Sequence, residues 1–435
     1  MTLRSTKWVF WVLTAALWLP VGFLLPVLVL TMIERGLSLQ EVGLGFATYG
    51  LTTVVFELPT GGFADSLGRR PILMVAAALQ AVMAVIWFAA DDVWVIVVAA
   101  FIGGVSRALS SGPLEAWYVD TTHSIEQDAA IRPGLAGAEV AGGLTIAFGS
   151  LAVTAMTFIP AIASSDGAIS ADRLPLLVAA AASLVNIVAV ALLMKEDAPH
   201  GRSVRSALGA IPRVMRRSVQ IARRPGAVRL LLMATFLFGI GIVSVEFFYQ
   251  PLFRGMVDDA ASATRLFGVL GFGLALGSAA GSAAAGVVPE GDGFRPGRMG
   301  AAALVAVAVG IVGLALSGSI LVGSVFFICI YTVAGFAHPF SQQILHDNVE
   351  SSERATMVSA QSLSVQAGAL VTTIGLAQLA AYTDITSALL LGAVAVCGAS
   401  ALFLAIDRMH VSTPEIEATS DVPHRDPSLV DEPLN

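Results

Sequence analysis

The stretch FELPTGGFADSLGRRPIL, residues 56–73, decides how this chain is read. It begins apolar and carries one acid, Glu57, inside a long apolar run. It then places Asp65, Gly68, Arg69 and Arg70 within six positions and turns apolar again after Pro71. A carboxylate in an apolar segment is costly if lipid surrounds it. A dense charge cluster just beyond it marks the point where such a segment meets water.

Working outward, the whole chain has this character. Of 435 residues, 56% are hydrophobic and 13% charged, and mean hydropathy is +0.81. A soluble domain carries about 25% charged residues. The composition therefore indicates an integral membrane protein and excludes a soluble globular one. The apolar runs are continuous, as spanning helices require, whereas barrel strands alternate apolar and polar residues.

A spanning helix needs about 20 apolar residues. Twelve runs qualify as spans 1 to 12: 8–32, 41–64, 71–90, 93–118, 133–161, 174–194, 228–250, 265–288, 299–317, 319–345, 356–381 and 385–406. Spans 9 and 10 are separated only by Ser317, Gly318 and Ser319. The first run is too long for a signal-peptide core and is expected to be retained. Cys329 and Cys397 both lie in apolar runs and support neither a disulfide framework nor a metal set.

Lys and Arg concentrate in cytoplasmic loops. Here they follow the even-numbered spans: Arg69 and Arg70, Arg132, nine bases between Lys195 and Arg229, Arg295 and Arg298, and Arg354. The odd-numbered loops carry Asp91, Asp92, Asp166, Asp258 and Asp259 with fewer bases. Both termini are expected on the cytoplasmic side of the inner membrane. Residues 1–194 and 228–406 form two six-span halves joined by a basic linker, 195–227. Within it, Ile211, Val214, Val219 and Ile221 are spaced for an amphipathic helix on the inner leaflet, with a plain basic linker as the alternative. Residues 407–435 read as an acidic, Pro-rich, disordered tail. A weak repeat supports the division: Pro113 stands seven residues before Asp120, and Pro339 eight before Asp347. Paired halves of this kind are what secondary transporters use.

Gly61, Asp65, Gly68, Arg69 and Arg70 spell G-x-x-x-D-x-x-G-R-R after span 2. This resembles the signature loop between helices 2 and 3 of the major facilitator superfamily, and span count, loop position and sidedness agree with it. The resemblance implies an all-α membrane protein of twelve helices in two pseudo-symmetric six-helix bundles. It also implies a cytoplasmic latch. Gly61 would admit a close helix, and Asp65 would face the N-terminal end of span 11, where a carboxylate is stabilised. Gly68 would permit the turn, and Arg69 would pair with Asp120. The alternative is that the arginines merely orient the loop.

Other branch-specific motifs are degenerate. After span 8, Ala285 stands where an acid would be needed. The drug–proton antiporter branch has Gly-Pro-x-x-Gly-Gly in helix 5. Here Ala138 and Glu139 replace Gly-Pro while Gly142 and Gly143 remain, and Ala100 stands where that branch often has Arg.

Ionisable groups within spans are expensive and mark function. Glu57, Arg107, Glu115, Glu139, Glu246 and His338 fall in spans 2, 4, 5, 7 and 10, while the interiors of spans 3, 6, 9 and 12 carry none. At ~1.5 Å per residue, Glu57 lies about 12 Å and Arg107 about 20 Å inside the motif surface, so the two can approach. Glu57, Arg107, Glu246 and Glu139 are the proton-coupling candidates, with a structural ion pair or hydrogen bond as the alternative. Trp18, Phe23, Arg107, Glu246, Phe247, Tyr249 and His338 are the candidates for lining a substrate cavity.

The expected function is secondary active transport of a small amphipathic molecule, as proton-coupled efflux of a drug or secondary metabolite. A proton symporter or facilitator for a metabolite is the alternative, and a non-transporting sensor or scaffold is a third class. No enzyme motif is present: there is neither H-E-x-x-H nor an ATP-binding G-x-x-x-x-G-K-[ST]. The expected partners are a small-molecule substrate and membrane lipid, with no nucleic acid, no ATP, no cofactor and no metal. A proton gradient would supply the energy, and the chain is expected to work as a monomer.

Overall fold

The computed structural model describes residues 2–127, 129–159, 170–196, 226–289, 294–349 and 354–411, with the side chains at 58–66, 354–356, 359 and 410–411 outside the description. The described elements are all helices and turns. In lipid a backbone must satisfy its own N–H and C=O groups, which a helix does within one segment.

Span 1 runs as Leu3–Leu24 and Leu28–Glu34, span 2 as Leu39–Leu67 and span 3 as Arg69–Ala89. Span 4 comprises Val93–Ser110 and Pro113–Ile125, span 5 is Arg132–Met156 and span 6 is Leu174–Leu193. Spans 7 to 10 are Ala227–Arg254, Ala260–Ala285, Pro296–Ala315 and Ile320–Asp347. Span 11 is Arg354–Leu370, a π-helical turn Val371–Leu376, and Ala377–Tyr382; span 12 is Ile385–Val411. Eleven of these are long and apolar enough to cross a membrane among the described residues. The Leu39–Leu67 helix, which carries the opening motif, completes the twelve.

Two spans expected to be continuous are broken. Span 1 interrupts at Leu25–Val27, around Pro26, which has no N–H to continue the ladder. Span 4 interrupts at Ser111 and Gly112. Gly112 takes φ +91°, a conformation that side chains resist, and Pro113 then opens the second helix.

The packing repeats between halves. Span 1 packs on spans 5 and 6, span 2 on 4, and span 3 on 4 and 6. Six positions later, span 7 packs on spans 11 and 12, span 8 on 10, and span 9 on 10 and 12. The halves meet where span 5 packs on span 8 and span 2 on span 11. The amphipathic-helix reading within 195–227 falls on residues 197–225 and the acidic tail on 412–435, all outside the described residues. Span 12 itself continues past 406 to Val411.

Candidate transport site

The bundle has two ends, distinguished by what they carry. The motif end holds Gly68, the start of span 1 and the end of span 12. The far end holds the described turns after spans 1, 3, 7, 9 and 11.

At the motif end, Gly68 adopts φ +93° and lets span 3 start immediately after span 2. Arg69 Nη2 donates to Asp120 Oδ2 at 2.6 Å. The free N–H groups that open span 3 meet Glu196: its carboxylate accepts from Arg69 N at 2.7 Å and Arg70 N at 2.8 Å. An acid at a helix start is favoured by the unsatisfied donors and the dipole. Arg70 donates to the Ala191 carbonyl at the end of span 6. The Trp117 indole donates to the Lys195 carbonyl at 2.8 Å. The side chains of Gly61 and Asp65, and that of Thr356 near the start of span 11, lie outside the described residues.

At the far end the halves are sewn together. A Cβ on Gly43 of span 2 would sit 2.0 Å from the Thr373 carbonyl in the π-turn of span 11, so the backbones touch there. A Cβ on Gly268 of span 8 would sit 2.2 Å from Thr154 Oγ1 of span 5. Thr154 Oγ1 donates to the Arg265 carbonyl at 2.9 Å, and Arg265 Nε donates to Thr157 Oγ1 at 3.2 Å. Glu34 pairs with Arg254, and Phe46 meets Phe247 edge-on at 5.7 Å. Gln250 of span 7 bonds the broken turn of span 1: Leu30 N donates to its Oε1 at 2.7 Å, and its Nε2 donates to the Leu25 carbonyl at 2.9 Å. These hydrogen bonds, with that of Tyr249 Oη to the Leu25 carbonyl at 3.4 Å, join the halves at this end.

A cavity of about 520 Å³ lies in the motif-side half of the bundle. Most of its wall is second-half: Thr235, Ser278, Ser282, His338, Gln342 and Gln361 among others. Among the described residues, Glu139 of span 5 is the first-half member of the wall. Glu139 and His338 are both exposed into this space and within electrostatic reach of one another. Glu115 is within similar reach of Glu139. The size suits a small-molecule site, and apolar walls with a few converging polar groups are the usual composition of one.

The remaining candidates are distributed elsewhere. Glu57 accepts from Ser111 Oγ at 3.1 Å, at the break in span 4. The Arg107 guanidinium lies 5.3 Å over the Trp18 ring. These contacts place Glu57 at the break in span 4 and Arg107 beside span 1. Of the residues expected to line a cavity, His338 does; Trp18, Phe23, Arg107, Glu246, Phe247 and Tyr249 do not line this one. Phe23, Phe247 and Tyr249 are buried in the main apolar core, because they sit toward the sealed far end. Glu246 is exposed in an otherwise buried run, Ser244–Gln250, and acts electrostatically on Tyr249 and Tyr331.

Sequence reasoning missed Glu196, Gln250 and the neutral polar wall. The signal for the wall was present: SQQ at 341–343 and AQSLSVQ at 360–366 interrupt apolar spans with uncharged hydrogen-bonding residues. Neutral amides and hydroxyls in spans are cheaper than charges and draw less notice. Gln361, whose Nε2 donates to Ser341 Oγ at 2.8 Å, is the buried member of that group.

Comparison with known proteins agrees with this architecture. The family model for the Major Facilitator Superfamily matches residues 10–373. The inner membrane transport protein YajR of Escherichia coli (strain K12) is 35% identical over 66 residues, which is 15% of this chain and 14% of that protein. The chain thus matches a small part of that relative's length. The crystal structure of the nucleoside transporter NupG superposes with a TM-score of 0.67 at 13% identity, covering 93% of this chain and 99% of that one. The D-xylose-proton symporter superposes with a TM-score of 0.66 at 16% identity, covering 92% and 97%. At such identities these neighbours speak to fold alone. The chain belongs to the major facilitator superfamily, as a transporter rather than an enzyme.

Proposed function

We propose that this facilitator is a proton-coupled secondary transporter of the cytoplasmic membrane, with the motif end and both termini inside the cell. It moves a small molecule through the 520 Å³ cavity by alternating access. The observation that carries this reading is the contrast of ends: a cavity with exposed Glu139 and His338 on the motif side, and contacts joining the halves on the far side. Such an arrangement is one of the two states that rocking halves alternate between.

Glu139 becomes the first residue to change, ahead of Glu57. It is the first-half member of the described cavity wall, so closing the motif end would bring its carboxylate and the His338 ring together. A proton held on either group changes that contact between attraction and neutrality. Among the described residues the lining holds Glu139 and no Lys or Arg, which favours a neutral or cationic cargo with hydrogen-bonding groups. Export of an amphipathic compound fits the apolar part of the wall. Proton symport of a polar metabolite is the second reading, favoured by the run of Ser, Thr and Gln across the rest of it.

Everted membrane vesicles with an imposed pH gradient test both. Under antiport, entry of the cargo releases protons to the medium; under symport, it takes them up. E139Q is expected to reduce gradient-driven transport about tenfold, the equivalent of ~1.4 kcal/mol. Transport indifferent to the gradient in the wild type would sink proton coupling. Unchanged coupling in E139Q would return the proton site to Glu57 or Glu246.

A further inference from the structure

We infer that Gln250 is the gating residue of the far end, a neutral amide that joins the two halves by completing the broken turn of span 1.

The argument starts from the break. In a continuous helix the Leu25 carbonyl would accept from Val29 N, and Leu30 N would donate to the Pro26 carbonyl. The helix stops at Leu24 and restarts at Leu28, with no side-chain cap at Val27. The break therefore frees a backbone acceptor and a backbone donor in an apolar setting, where each unpaired group is costly.

Gln250 fits both. Its Oε1 accepts from Leu30 N at 2.7 Å, and its Nε2 donates to the Leu25 carbonyl at 2.9 Å and to Tyr249 Oη at 2.8 Å. An amide is the side chain that offers an acceptor and a two-proton donor together. The residue is 1% exposed, so water does not compete for these bonds. Glu34 and Arg254 sit one turn further out on the same two spans and pair at the rim. That pair is partly exposed and screened by salt, and the clasp at Gln250 is not.

The consequence concerns the transport cycle, and it rests on the alternating-access reading only for its meaning, not its detection. Opening the far end must break the bonds of Gln250 and expose the unwound turn. The clasp thus biases the protein toward the state with the motif-side cavity. Gln250 also lies one helical turn beyond Glu246 on span 7, so any cargo or proton that moves Glu246 acts on the same turn of helix.

The test uses spin labels on exposed far-end residues of opposite halves, W94C and D258C, in full-length protein with Cys329 and Cys397 replaced by serine. Wild-type protein in lipid nanodiscs is expected to give mainly one short far-end distance. In Q250M, which keeps length without hydrogen bonds, a longer distance is expected to rise at least about tenfold in population, the equivalent of ~1.4 kcal/mol. An unchanged distribution in a monodisperse Q250M protein overturns the proposal. If Q250M does not fold, Q250E decides: it keeps an acceptor for Leu30 N and loses the donor to Leu25, so a gain in the long distance supports the clasp and a wild-type distribution overturns it. Because no cargo is needed, a shifted distribution in a protein that transports nothing would leave the clasp standing and sink the transport reading instead.

Discussion

The two ends of this bundle are held by different chemistry. At the far end the halves are joined to each other, through close backbones at Gly43 and Gly268 and through hydrogen bonds from Thr154, Arg265 and Gln250. At the motif end the described contacts join spans within one half: Arg69 to Asp120, Glu196 to the start of span 3, and Arg295 and Arg298 to Asp407 of span 12. The difference separates what joins the halves from what orders each half. Close backbones, hydroxyl and amide hydrogen bonds, and the charged side chains of Arg265 and of the Glu34–Arg254 pair join the halves at the far end. The motif-end clusters hold spans of one half in register.

The motif-end clusters also compare with one another. In the first half an acid after span 6, Glu196, takes the backbone N–H groups that open span 3. In the second half an acid late in span 12, Asp407, takes the side chains of Arg295 at 3.7 Å and Arg298 at 3.2 Å, at the start of span 9. Spans 3 and 9 occupy equivalent places, as do 6 and 12. The same joint is thus made with backbone donors in one half and guanidinium donors in the other.

The comparison of ends is broken most severely at Gly43. In G43V the added side chain meets the Thr373 carbonyl, and overpacking costs about 1–3 kcal/mol. The far end is expected to spring open, read as a loss of the short far-end distance. Retained closure would mean that the glycine contact is incidental. Next comes E196A, which removes the acid that caps span 3 and is expected to cost about 1–2 kcal/mol. Thermal unfolding in detergent checks it, and the far-end distance should stay as in the wild type. A far-end change instead would show that the ends are not separable.

Smaller effects should follow from the surface pair. D120N removes the charge from the Arg69–Asp120 pair, yet Asp120 is largely exposed, so the stability loss is expected to be at most about 1 kcal/mol and to vanish at high salt. The smallest effect concerns pH. Asp259 accepts Ser262 N and Ser262 Oγ, both at 2.8 Å, and these bonds hold its carboxyl below the usual range. Its contribution is therefore complete above the unfolded value of about 3.9 and is lost as pH falls through the lower folded value. D259N is expected to flatten the acid limb of the unfolding profile by a few tenths of a kcal/mol, within the range of helix-cap effects. An unaltered limb would assign that slope to other carboxylates.

Much of this was legible along the chain because the bilayer makes local rules decisive. Twelve apolar runs, the loop bases and the G-x-x-x-D-x-x-G-R-R stretch each reflect a cost that lipid imposes on individual segments. The breaks in spans 1 and 4 were less legible. Pro20, Pro26, Gly112 and Pro113 were visible, but a Pro such as Pro20 also sits inside an unbroken helix here. Neighbouring spans decide which one yields.

What the sequence by itself determined is therefore the class, the span count, the halves and the superfamily, since these follow from hydrophobicity and from a motif contained in one loop. Only the tertiary structure decided that Glu139 rather than Glu246 faces the cavity with His338, that Glu57 and Arg107 take contacts with Ser111 and Trp18, and that Gln250 meets the open turn of span 1. Those pairings join residues tens to hundreds of positions apart, and their distances depend on how each helix is rotated against its neighbours. Rotation is set by packing between spans, which no single span encodes.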